Sequence, residues 1–289
     1  MTSQHEPEIP WSTALEDPLA SIEGHWFDGK VAVVAGGGLS GPLGNVGFGM
    51  AWLFARSGAR VAVLDRDTES GKRTVELIRE AGGEAATYDV DLTDEESTKA
   101  AVTQVYDDFG RIDVVATSVG GGHAKGIFEV TLEEWKLSMD LNLVTAWLLM
   151  RAVEPYMTEG GAIVTVSSGA AEGRGPALPY GIAKTALEKL SVGAASTLAP
   201  RGIRVNCIRV GMIWGAFAAR GMSEEQREIR RKNVALQTEG NAWDIASAAY
   251  WLCTPQARWI SGQVLAVDGG GFAMRNTGAA GSKSEPEKK

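Results

Sequence analysis

An α/β fold built on a doubly wound parallel sheet, in a single domain, is what this sequence predicts, and three observations predict it. Short continuous apolar runs such as Val31-Ala32-Val33-Val34-Ala35 and Ala162-Ile163-Val164-Thr165-Val166 read as strands covered on both faces. These strands alternate with longer helical segments, the order that specifies a parallel sheet with helices on either side. The first strand opens into glycine-rich sequence and then a helix, the layout of a nucleotide-binding βα turn. A chain of 289 residues buries a large core, and its 44% hydrophobic and 22% charged content is that of an ordinary globular protein.

Residues 1–28 form an extension before the first strand, with Trp11, Leu15, Leu19, Ile22, Trp26 and Phe27 as apolar handles for packing on the domain or on a neighbouring subunit. The domain itself spans 29–275. Its first strand, Lys30 to Ala35, runs into Gly36-Gly37-Gly38-Leu39-Ser40-Gly41-Pro42-Leu43-Gly44-Asn45-Val46-Gly47, where glycines let the backbone turn sharply and approach a ligand closely. The next helix, Phe48 to Ser57, offers free N–H groups and a positive dipole end to a pyrophosphate, as in a Rossmann-type fold. The second strand, Arg60 to Leu64, ends on Asp65, roughly 20 residues past the glycines, where a carboxylate meets the adenosine ribose hydroxyls of NAD. A carboxylate there repels a 2′-phosphate and so selects NAD over NADP, while the neighbouring Arg66 pulls the other way. Ala162 to Val166 is a further strand, and by resemblance to a known family Asp89 to Asp94 is a strand end, Gly110 to Val115 the entry to a strand, and Gly202 to Asn206 and Ile260 to Gly271 the last two strands. A helical stretch from Leu132 to Met157 carries Asn142, and the polar tail 276–289 has the composition of a disordered segment.

The chemistry concentrates in the second half. Tyr180 and Lys184, in Pro179-Tyr180-Gly181-Ile182-Ala183-Lys184, share one face of a helix, so the ammonium can stand beside the phenol. An adjacent cation favours the phenolate, and the expectation is a tyrosine moved toward a pKa useful for general acid/base work. Ser167-Ser168 ends the fifth strand upstream. The segment Met212 to Met222, with Ile213, Trp214 and Phe217, is apolar and aromatic, and so many large apolar groups in a loop call for a substrate or a subunit to cover them.

Composition excludes other classes. A net charge of −8, with no basic run among exposed aromatics, argues against a nucleic-acid surface. No apolar stretch is long enough to span a bilayer, and Met1-Thr2-Ser3-Gln4-His5-Glu6 is too acidic for a secretory signal, so the expected location is cytoplasmic. Cys207 and Cys253 stand alone as small core residues, not as a disulfide or a metal pair. Of His5, His25 and His123, only His123, after Gly120-Gly121-Gly122, falls near a possible site, and no metal is expected.

Taken together, the chain resembles a classical short-chain dehydrogenase/reductase from about Gly29 to Met274. The resemblance implies a catalytic tetrad of Asn142, Ser168, Tyr180 and Lys184. It implies a cofactor surface of Gly36, Ser40, Asn45, Val46, Gly47, Asp65, Arg66, Asp91, Leu92, Thr117, Gly120, Tyr180, Lys184, Gly211 and Ile213. Substrate would meet Ser168, Tyr180, Trp214, Phe217 and His123. In such enzymes the tyrosine exchanges the proton, the serine polarises the substrate oxygen, the lysine holds the nicotinamide ribose, and the asparagine anchors a water. Four departures stand out: the phosphate loop is about five residues longer than usual. In addition, Thr117-Ser118-Val119-Gly120 replaces the usual Asn-Asn-Ala-Gly, Val210-Gly211 replaces Pro-Gly, and the loop before Tyr180 is one residue short. The last makes Ser167 a rival to Ser168, and the ungapped strand before them favours Ser168.

The implied function is NAD(H)-dependent oxidation of a hydrophobic secondary alcohol, or reduction of the ketone, with an alicyclic, aromatic or steroid-like substrate. A homo-oligomer, tetramer or dimer, would pair through the helices around Asn142. Two alternatives stand beside this. The lengthened loop is similar in shape to that of enoyl reductases, although those enzymes space their tyrosine and lysine more widely. A non-catalytic NAD(H)-binding regulator on the same fold is the other, and it has no chemical reason to keep the tetrad.

Overall fold

The computed structural model describes residues 25–122, 125–126, 128–173, 179–215, 218–219 and 222–271. Residues 1–24, His123, Phe217 and the tail 276–289 lie outside the described residues. Seven parallel strands, β1 (Val31–Ala35), β2 (Arg60–Asp65), β3 (Glu84–Asp89), β4 (Ile112–Thr117), β5 (Met157–Ser168), β6 (Arg204–Val210) and β7 (Val264–Val267), form one sheet in the order β3-β2-β1-β4-β5-β6-β7. The described helices are α1 (Val46–Arg56), α2 (Thr68–Glu80), α3 (Glu95–Phe109), α4 (Leu132–Met139), α5 (Thr145–Val153), α6 (Tyr180–Leu198), α7 (Glu224–Lys232) and α8 (Ala242–Cys253).

Strand β1 explains the continuous apolar runs. Ala32 and Val34 face a core layer with Phe48, Phe54, Trp243 and Ala246, while Val33 and Ala35 face another with Val102, Val105, Leu149 and Val153. With both faces covered, neither side of the strand can be polar, so the sequence does not alternate. Phe27, at the end of the extension, is buried with its ring edge-on to Phe54 and Tyr250.

Helix α1 starts at Val46, two residues before the Phe48 expected from the sequence, because Asn45 caps it. The Asn45 Oδ1 accepts the Phe48 N–H at 2.8 Å while its Nδ2 donates to the Gly38 carbonyl at 2.7 Å. One side chain thus starts the helix and closes the lengthened loop. The remaining loop is held on α2: Leu39 N–H donates to Thr74 Oγ1, Thr74 Oγ1 donates to the Gly37 carbonyl, and Arg73 donates to the Leu39 carbonyl.

At the opposite end of the sheet, Asp113 ties three strands together. Its carboxylate accepts the Val31 N–H at 2.9 Å, Thr158 Oγ1 at 2.9 Å and two Arg111 donors at 2.8 and 2.6 Å. Burial raises the Asp113 pKa, but these hydrogen bonds and the guanidinium charge outweigh burial and hold it below 3.8. A depressed carboxylate adds stability that is present above its unfolded pKa and lost as pH falls through the folded value. The expected outcome for Asp113→Asn is a loss of about 2 kcal/mol at neutral pH. Urea unfolding should show the gap between variant and parent closing as pH falls below 3.8.

Candidate active site

Between β1 and β4 the sheet order reverses, and the chain leaves the two strand ends in opposite directions. That topology opens a crevice at the carboxyl ends of the strands. A cleft of about 320 Å³ lies there, lined by Gly36, Gly38, Ser40, Asn45, Asp65, Arg66, Asp91, Leu92, Ser118, Val119, Gly120 and Thr145 among others. Of the residues expected to hold a cofactor, Gly36, Ser40, Asn45, Asp65, Arg66, Asp91, Leu92 and Gly120 are in this lining. Val46 and Gly47 open α1 behind it, Thr117 is buried within β4, and Gly211 and Ile213 follow β6 outside the lining. Sequence reasoning missed Gly38, Ser118, Val119 and Thr145. The only signal for Ser118 and Val119 was their place in the altered turn after β4.

The glycines of the cleft are there for space. Gly36 has φ +74°, a left-handed conformation, and a Cβ on Gly47 would lie 2.0 Å from the Gly36 carbonyl oxygen. A Cβ on Gly38 would lie 2.7 Å from Asp65 Oδ2, which accepts the Gly38 N–H at 2.9 Å. The other Asp65 oxygen accepts the Asp67 N–H at 3.0 Å. Asp91 accepts both the N–H and the hydroxyl of Thr93, and these bonds lower its pKa. A backbone cradle that only glycine permits, a helix N-terminus and a carboxylate at the β2 end fit the phosphates and ribose of a nicotinamide dinucleotide.

The four side chains expected to move protons come together beside the cleft. Helix α6 begins at Tyr180 and carries Lys184 one turn on, with its ammonium 5.8 Å from the tyrosine ring centre. Lys184 is buried and donates to the carbonyls of Val166, at 3.0 Å, and Val119, at 3.4 Å. Burial brings its pKa down to about 8. Tyr180 does not follow the sequence expectation of a lowered pKa. Burial raises it, and the opposing hydrogen bond with Ser168 does not overcome that. Burial of the phenol itself dominates, and the Lys184 ammonium is turned toward backbone carbonyls.

Asn142 lies in a π-helical turn, Asp140–Val144, that interrupts the helices α4 and α5. Its amide accepts the Gly121 N–H at 3.0 Å and donates to the Gly121 carbonyl at 2.7 Å and the Ser138 carbonyl at 2.9 Å. Such one-turn bulges re-aim a side chain without ending the helix, and they recur at functional sites. A Cβ on Gly120 would lie 2.7 Å from Asn142 Oδ1 and 2.8 Å from Lys184 Nζ, so only glycine lets these two groups converge here.

The two serines occupy different environments. The Ser167 hydroxyl is buried and donates to Glu188 at 2.8 Å, whereas Ser168 is hydrogen-bonded to Tyr180. Ser168 also accepts the Ala170 N–H at 3.2 Å. Trp214 is held by its own N–H to the Gly240 carbonyl at 2.7 Å, with the Arg227 guanidinium 4.1 Å from its ring centre.

Comparison with known proteins agrees with this architecture. A family model described as Enoyl-(Acyl carrier protein) reductase matches residues 43–271. The 7alpha-hydroxysteroid dehydrogenase of Escherichia coli (strain K12) is 32% identical over 253 residues, covering 86% of this chain and 97% of its own. A solved 7 alpha-hydroxysteroid dehydrogenase complexed with NADH and 7-oxo glycochenodeoxycholic acid superposes with a TM-score of 0.79 at 31% identity, covering 84% of this chain and 94% of that one. A blue fluorescent protein from a metagenomic library, solved with NADPH, gives 0.77 at 28% identity, with 84% and 98% covered. Fold and relatives thus define an oxidoreductase, with neighbours solved in complex with NADH and with NADPH. The chain belongs to the classical short-chain dehydrogenase/reductase family.

Proposed function

We propose that this protein is an NAD(H)-dependent oxidoreductase acting on a hydrophobic secondary alcohol or its ketone, with an alicyclic, aromatic or steroid-like frame. The observation that carries the reading is the hydrogen bond between Ser168 and Tyr180 beside the buried Lys184, at the edge of a cleft with a nucleotide cradle. A nicotinamide bound there supplies the hydride acceptor or donor. The residues do the rest. Ser168 donates to or accepts from the substrate oxygen and fixes its position. Tyr180 gives the proton to a ketone oxygen, or takes it from an alcohol. Lys184 holds the nicotinamide ribose, and Asn142 sets the backbone turn beside it. Trp214, with Phe217 and His123, is assigned to the substrate side, and the apolar character of Trp214 and Phe217 favours a nonpolar substrate. The 7 alpha-hydroxysteroid dehydrogenase solved with 7-oxo glycochenodeoxycholic acid supports a steroid-like frame.

NAD is preferred over NADP because Asp65 closes β2 within the cleft. A screen of NAD and NADP against apolar secondary alcohols, cyclic diols and hydroxysteroids tests both halves. The expected result is turnover with NAD. Asp65→Asn should then shift the ratio of kcat/KM values toward NADP by about tenfold. Wild-type turnover that favours NADP would overturn the cofactor assignment.

A second reading, enoyl reduction, is favoured by the description of the matching family model and by the lengthened loop. The spacing of Tyr180 and Lys184 on one helix turn counts against it. We assign the protein to the cytoplasm as a homo-oligomer, tetramer or dimer, and exposed Leu137 and Trp147 on α4 and α5 support pairing through those helices. Among the described residues no helix is long and apolar enough to cross a membrane, and no His, Cys, Asp or Glu cluster could hold a metal.

A further inference from the structure

The chemistry above leaves unused a carboxylate buried one helical turn beyond Lys184. Glu188 is 8% exposed. Its Oε1 accepts Ser167 Oγ at 2.8 Å and Arg209 Nε at 2.8 Å, and its Oε2 accepts Arg209 Nη2 at 2.6 Å. The third arm of the guanidinium, Nη1, donates to Glu172 Oε1. Three elements therefore meet on one arginine: helix α6, the end of β6, and the short turn Gly169–Glu172 that begins at Ser168.

That turn is seated against α6 along its length. Thr185 Oγ1 donates to the Ala171 carbonyl at 2.8 Å, and a Cβ on Gly181 would lie 2.7 Å from the Ala170 oxygen. Ser168 caps the near end, and Glu172 fastens the far end. A buried carboxylate and a partly buried guanidinium shared with a second carboxylate are a costly way to gain stability, since apolar packing of equal volume serves as well. What a forked guanidinium adds is direction: it fixes the angle as well as the distance of what it binds.

We infer that Arg209, bridging Glu172 and Glu188, is a positioning residue that locks the Ser168 turn onto α6 and so holds the Ser168 hydroxyl on Tyr180. The inference rests on the oxidoreductase reading for its effect on turnover, but the lock itself is independent of it. Arg209→Met would leave the buried Glu188 with the Ser167 hydroxyl but without its cation and is expected to fold poorly, so the test uses Glu172→Ala, which keeps the Arg209–Glu188 pair.

In the full-length protein, Glu172→Ala should lower kcat about tenfold while KM for the nucleotide stays within about twofold. Glu172→Gln, which keeps an acceptor for Arg209, should recover most of the loss. In a double-mutant cycle, Ser168→Ala should cost about tenfold less in the Glu172→Ala background than in the parent. Unchanged kcat in Glu172→Ala, or two losses that simply multiply, would overturn the proposal. Hydrogen exchange reads the lock without turnover: amides 169–173 should exchange about tenfold faster in Glu172→Ala, with those of 162–166 unchanged. Unaltered exchange at 169–173 overturns the lock. Faster exchange in a protein whose parent is inactive on every alcohol supports the lock and counts against the oxidoreductase reading alone.

Discussion

Replacing Tyr180 by phenylalanine is expected to reduce kcat by about a thousandfold, while NADH binding stays within about twofold. The substitution removes one hydroxyl and leaves the ring, so the buried packing at the start of α6 is kept. What disappears is the phenol hydroxyl hydrogen-bonded to Ser168. The pH dependence follows from the same group. Burial pushes Tyr180 up from the ordinary phenol range, which favours the neutral phenol, the form that donates to a ketone oxygen. Ketone reduction should therefore be active at neutral pH and fall as the phenol ionises, and this alkaline limb should vanish in Tyr180→Phe. Steady-state kinetics across pH, with NADH affinity from fluorescence titration, measure both. A variant that keeps most of its turnover would remove Tyr180 from the chemistry.

The second large effect is expected at a residue with no side chain. Gly47→Ala would place a Cβ 2.0 Å from the Gly36 carbonyl oxygen and 2.6 Å from Ser118 Oγ. Ser118 could rotate away, but the carbonyl belongs to the backbone at the end of β1 and cannot. Helix α1 must then move off the sheet, disturbing a layer that contains Phe48, Phe54 and Trp243. The expected loss is about 3 kcal/mol, or roughly a 10 °C fall in Tm, because overpacking against rigid atoms finds no cheap relaxation. Nucleotide binding should weaken in parallel, since the same shift carries the helix N-terminus away from the cleft. Gly41→Ala is the control: it lies in the same loop, and nothing stands within 4 Å of the position its Cβ would take. Thermal unfolding of the two variants distinguishes crowding at one site from a general intolerance of the loop.

Much of this was legible in the order of residues. Apolar runs such as Val31 to Ala35 report burial on both faces, because a strand covered on one side alone alternates. The glycine-rich loop, the acid closing β2 and the Tyr180–Lys184 spacing are local signals, each set by neighbours in the chain. The choice of Ser168 came from such a signal, an ungapped strand, and its hydrogen bond with Tyr180 gives it a surrounding distinct from that of Ser167.

Other features depend on segments far apart in sequence. The resemblance puts Asn45 on the cofactor surface, and only the folded chain shows that it also caps α1 and closes the lengthened loop onto Gly38. The expected lowering of the Tyr180 pKa assumed a free ammonium beside it, whereas folding buries Lys184 and turns it toward Val166 and Val119. Arg209, Glu172 and Glu188 carry no motif at all. Sequence by itself determined the strands, helices and chemical groups, because periodicity and residue type are local. Tertiary structure alone decided which of those groups are desolvated, paired and aimed, because desolvation and hydrogen-bond geometry depend on everything packed around them.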